Sequence, residues 1–182
     1  MFRWLTRAPR PDTIGGLYGA IVAQARSPVF YGDYGVADTV AGRFDLLVLH
    51  LVLFIRRLRR EPVAIRALGQ GVFDLFCRDM DHSFREMGIG DLAVPKHMQR
   101  VAEAFYGRAA AYDDAIGQPG DEPLAATLAR NIFAEAAVPS AGVVRLARYV
   151  RVAIEELDRQ DGEAMARAVV VFPDPGMISA SA

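Results

Sequence analysis

Cysteine occurs once in the 182 residues, at Cys77, and histidine only three times. A lone cysteine excludes an intrachain disulfide framework and any multi-cysteine metal site, and it fits a reducing compartment. Charge of one sign is also missing. The 21 basic and 22 acidic residues leave a net charge of −1, which excludes a whole-surface attraction to nucleic acid but leaves local patches open. No apolar run reaches the roughly 20 residues that cross a bilayer, and none reads as a secretory core, so a cytoplasmic location is expected. A nucleophile elbow, a P-loop, a dinucleotide fingerprint and zinc-ligand spacing are all absent. Gly88-Ile89-Gly90-Asp91 lacks both the preceding strand and the following Gly-Lys-Ser/Thr of a phosphate loop. These absences predict a chain that is not an enzyme and holds neither metal nor cofactor.

What the sequence has in plenty is apolar side chains, 52% of the residues, enough for one domain with a large core. Ten of the twelve residues from Phe44 to Ile55 are apolar, so a helix through them is greasy on nearly every side. Such a helix is either buried or spans a membrane. Twelve residues rise only about 18 Å, too little to span. The stretch from roughly 39 to 60 is therefore expected to be the central buried helix of an all-α domain of about six helices. Residues 1–12 are expected to be flexible, 13–172 to form the domain, and 173–182 to be a disordered tail after a short irregular segment.

The other helices announce themselves by spacing. Ile14, Leu17, Tyr18, Ile21, Val22 and Ala25 mark an inward face over about 13–26, and Ser27-Pro28 ends it. Phe30, Tyr31 and Tyr34 in the following connection predict a loop packed on the body. Pro62 opens a helix to about Met87, whose Phe73, Phe76, Met80, Phe84 and Met87 form a core-facing stripe. Its other side offers Asp74–Arg78, Asp81–Arg85 and His82–Glu86 at the spacing of helical ion pairs. Gly88 suits the left-handed position after a helix, and Asp91 or a neighbour can open the next. Val94, Met98, Val101, Phe105, Ala109 and Tyr112 make another stripe; 123–136 and 139–160 read as two further helices.

Few positions invite chemistry. Asp79, His82 and Glu86 share a helical face, but a di-iron bundle needs the motif on two helices plus two more carboxylates. A salt-bridged exposed face is the reading the spacing favours. His50, between Leu49 and Leu51, reads as a histidine satisfied at the core edge or, less economically, as a base or haem ligand. Arg56, Arg57, Arg59 and Arg60 place four cations at the negative end of the central helix. With Trp4 and its neighbouring arginines they offer a contact for anionic headgroups or RNA. A binding module is left, with a helical small-molecule or haem carrier using His50 or His82 and a peripheral membrane or RNA adaptor as alternatives.

The words RFDLLVLHLVLFIRRL, DMDHSFREMGIGDLAVPKHM and AEAFYGRAAAY resemble the ubiquinol–cytochrome c chaperone family, assembly factors for cytochrome b of the bc1 complex. The resemblance runs from about Tyr31 to Phe133. It implies an all-helical, non-catalytic protein whose client is newly made cytochrome b, met at the inner membrane surface through a transient peripheral contact. The mitochondrial members act with a small partner protein near the ribosomal tunnel exit. Without a convincing transit peptide, this chain is more similar to an alphaproteobacterial relative, so a co-chaperone or ribosome contact stays open. No specific nucleic acid is implied. Among the matching positions, helical geometry makes Asp81, Arg85, Glu86, Lys96, Tyr106 and Arg108 the candidate client or partner surface, beside which an exposed apolar groove is expected.

Overall fold

Thr39 starts the apolar helix by accepting a hydrogen bond from the Gly42 backbone N–H at 3.1 Å. The helix runs Val40–Leu58, and every residue from Asp45 to Phe54 is buried. In the computed structural model, which describes residues 11–133 and 140–179, this helix (α3) is the post on which the others lean. Before it come α1 (Pro11–Ala25) and the one-turn α2 (Pro28–Gly32). After it come α4 (Val63–Glu86), α5 (Val94–Gly117), α6 (Glu122–Leu128), α7 (Ala141–Arg159) and the one-turn α8 (Gly162–Met165). Helices α1, α4, α5 and α7 all pack against α3. The fold is all-α, with six helices of seven residues or more among the described residues.

The inward stripes read from the sequence meet in one core. Leu17 and Ile21 of α1, Val72 and Phe76 of α4, Val101 and Phe105 of α5, and Leu146 and Val150 of α7 are all buried with α3. The aromatic connection after α1 also packs down, with Phe30 and Tyr34 buried and Phe30 edge-on to Tyr149 at 4.9 Å. Gly88 takes a φ of +80° after α4. There Gly88 N–H bonds to Arg85 O and Ile89 N–H to Phe84 O, both at 3.0 Å, closing the helix as a Schellman motif.

Three boundaries and one cap differ from expectation. The first helix begins at Pro11, before the expected start at 13. Asp91 does not cap α5; its carboxylate pairs with Arg85, and α5 begins at Val94 without a side-chain cap. The helix expected over 123–136 is α to Leu128 and then widens into a π-helical turn, Ala129–Phe133. The tail expected to be disordered from 173 is held as far as Ser179. Gln24 donates to Pro173 O at 2.8 Å, Tyr34 hydroxyl to Pro175 O at 2.8 Å, and Arg145 to Ile178 O at 2.8 Å. These grips come from residues 33 to 149 positions away, so nothing in the tail itself announces them.

Candidate functional site

The apolar stripe of α4 leaves the core part-way along. Phe76 is fully buried, Met80 and Phe84 are half-buried, and Met87 is 57% exposed. Past Phe76 the stripe forms one wall of a groove of about 790 Å³. Val22 and Ala25 of α1, Phe44 and Leu47 of α3, and Val101 and Ala104 of α5 complete its floor and sides. Arg26, Arg43 and Arg100 stand exposed at its edge, with Glu86 as its one acidic side chain. Two methionines in the wall give an adaptable apolar lining. A groove of this size, lined mainly by hydrocarbon and edged by cations, can grip an amphipathic molecule. It contains no nucleophile–base pair among the described residues.

The groove was expected beside the charged segment; most of its residues were not. Val22, Val40, Arg43 and Arg100 on three helices, and Arg26 just past the end of α1, are apart in sequence, and only folding gathers them. The available signal was in α4 itself, where a stripe assigned wholly to the core ends in Phe84-Arg85-Glu86-Met87 beside a sharp turn.

The candidate partner surface divides. Asp81 lies 2.7 Å from Arg85, which also meets Asp91, so this trio braces the exit of α4. Glu86 lines the groove and lies 3.1 Å from His82. Lys96 is exposed on the first turn of α5. Tyr106 is 62% exposed, its ring 5.8 Å from Phe73. Arg108 departs from the expectation that it is reached from outside: it turns inward to Asp45 at 2.6 Å, and its guanidinium lies 5.7 Å over the Phe44 ring. Asp74 accepts from Gln70 rather than from Arg78.

The cationic exit of α3 is largely neutralised by the fold. Arg56 and Arg59 both reach Asp113, and Arg60 lies 2.9 Å from Asp158. Arg57 is buried, against the expectation of a membrane contact. It pairs with Glu61 at 2.6 Å and donates to Leu157 O and Gln160 O, the carbonyl end of α7. Trp4 lies outside the described residues.

His50 is fully buried, with Nδ1 2.7 Å from Leu46 O and Nε2 2.8 Å from the Tyr149 hydroxyl. Both ring nitrogens are engaged, so it has none left for a haem iron. Burial holds its pKa down to about 4. Asp79 accepts from the Tyr18 hydroxyl at 2.7 Å, tying α4 to α1. Cys77 is half-buried, and burial pushes its thiol up, away from a reactive thiolate.

A helical body with an open apolar groove and no catalytic cluster among its described residues is the setting in which the comparisons with known proteins are decisive. The family model described as ubiquinol-cytochrome C chaperone matches residues 32–172. The chain belongs to that family. Its core is similar to the ubiquinol-cytochrome-c reductase complex assembly factor 1 of Xenopus laevis, with 26% identity over 81% of this chain and 73% of the frog protein. The Homo sapiens factor is 25% identical over the same share, but the match spans about half its length. Among solved structures, the Cbp3 homolog from Brucella abortus superposes with a TM-score of 0.84 at 37% identity, covering 92% of each chain. The chaperone family thus spans α3 to Phe172, taking in three walls of the groove.

Proposed function

We propose that this family member is a non-catalytic assembly chaperone of the ubiquinol–cytochrome c reductase complex, and that an apolar helix of newly made cytochrome b is the client held in the groove. The observation that carries the reading is the groove itself: half-buried Met80 and Phe84 face Leu47 and Val101 across an opening that no described segment fills. A helix entering such a groove presents one apolar face at i, i+3, i+4 and i+7. Covering that face shields it from water and from other nascent helices. The frog, mouse and human relatives, each named an assembly factor of this complex, support the same role. No helix of the described residues is long and apolar enough to cross a membrane, so the client would be met at the surface of the bilayer.

A photoreactive residue in place of Met87 tests the assignment in cells that make the complex. Capture of cytochrome b, together with failed assembly of the reductase on deletion of the chaperone, is the expected result. Normal assembly in the deletion strain, or capture from Arg60 but not from Met87, would reject the reading.

A further inference from the structure

The edge of the groove carries more positive charge than an apolar helix alone would require. Arg26, Arg43 and Arg100 lie around a floor of Ala25, Phe44, Leu47 and Val101, and the single acid, Glu86, is already paired with His82. Arg43 is held by Asp38 at 2.7 Å. Arg26 and Arg100 form no ion pair with a described residue, in contrast to the four arginines leaving α3, each of which meets an acid. Two free guanidinium groups beside hydrocarbon fit a ligand whose anion adjoins an apolar chain.

The groove's dimensions narrow the class. Its volume of about 790 Å³ lies in the range of small-molecule sites, roughly 300–1,000 Å³. A helix, about 10 Å across with its side chains, can press only one apolar ridge onto the floor. A flexible chain of methylene groups can fill it. The mouth also shows the marks of a surface that meets lipid. Val40, 76% exposed, and Met87 line it, and Leu92, entirely exposed, lies on the same α4–α5 connection as Met87.

We propose that the groove takes an acyl chain of an anionic membrane phospholipid, with Arg26 and Arg100 on the phosphate. This deepens the preceding reading and rests on it in one respect: the lipid occupies the chaperone until a client helix displaces it. The bilayer is then what keeps the apolar floor covered between clients.

The full-length protein is mixed with vesicles of phosphatidylcholine alone, or of phosphatidylcholine and phosphatidylglycerol in equal parts, each with a trace of its anionic or zwitterionic lipid photoactivatable on the acyl chain. The expected result is label on residues 40–47, 80–87 and 97–104 from the phosphatidylglycerol probe only. Substituting Arg26→Gln and Arg100→Gln together should weaken vesicle binding about thirtyfold with an unchanged circular dichroism spectrum. Equal labelling by the phosphatidylcholine probe, label confined to the Arg56–Arg60 end, or binding of free oleate without binding of the anionic vesicles would each overturn the proposal. Loss of lipid labelling with cytochrome b capture intact refutes the lipid and spares the client. Lipid labelling without client capture does the reverse.

Discussion

The Asp45 carboxylate lies 2.6 Å from the Arg108 guanidinium, joining the most apolar helix of the molecule to α5. Both side chains are largely shielded from water, and burial raises the Asp45 carboxyl above its usual range even though Arg108 pulls the other way. The pair costs desolvation, and neither member can be removed alone without leaving the other exposed to that cost. Replacing Arg108→Met should destabilise the fold by about 2 kcal/mol, less than for a fully buried pair because some solvent reaches this one. The double variant Asp45→Leu with Arg108→Met should recover most of that loss. Urea denaturation of the single and double variants at neutral pH measures both.

Acid should weaken the fold through His50. Its neighbours, Tyr149, Phe30 and Phe172, carry no charge that would hold a proton on the ring. An unfolded imidazole takes its proton near pH 6.5, whereas the folded one waits until about 4. Between those values the unfolded chain binds more protons, so stability is full above about 6.5 and declines as the pH falls toward 4. The loss is on the order of 3 kcal/mol. Asp45 works in the opposite direction, since its raised carboxyl favours the fold on acidification. Comparing the pH dependence of denaturation with that of His50→Gln cancels the Asp45 part; identical slopes would dismiss the role of His50.

Two glycines should respond to alanine with opposite signs. A methyl group on Gly142, at the start of α7, would run into the Tyr34 carbonyl, a backbone atom that cannot swing aside. Gly142→Ala is expected to cost about 1–3 kcal/mol. Gly107, exposed in the middle of α5, has nothing within 4 Å of the same position. Gly107→Ala should stabilise the fold by about 0.5–1 kcal/mol. Thermal melts decide this, and a melt of Gly107→Ala that does not rise would show the argument to be incomplete.

Arg145 holds the carboxy-terminal segment. Its guanidinium lies 4.5 Å over the Tyr34 ring and donates to Ile178 O, with Asp33 3.7 Å away. Burial pushes the Tyr34 hydroxyl up to about 12, so it stays protonated and keeps donating to Pro175 O. Arg145→Ala should speed amide exchange at Met177 and Ile178, whose N–H groups bond within the turn, by about tenfold or more. Exchange over α3 should be unchanged. Equal acceleration of both would mean that the substitution had loosened the whole domain.

The sequence by itself determined the class of fold, the central helix, the inward face of each neighbour and the left-handed Gly88. All of these follow from spacing along a helix, where residues three and four apart share a face whatever lies opposite. The words around REMGIGD and AEAFYGR carried the family as well. Tertiary structure alone decided which of those faces stayed covered. Met80, Phe84 and Met87 repeat with the same period as Phe76, yet only Phe76 meets enough neighbours to be sealed, and the rest become the wall of a groove. It also decided which charges are spent. Arg57 and Arg108 read as surface cations because their partners, the end of α7 and Asp45, lie 63 to 103 residues away in the chain. Periodicity fixes where a side chain points, but what it meets there depends on distant segments that only the folded chain brings near.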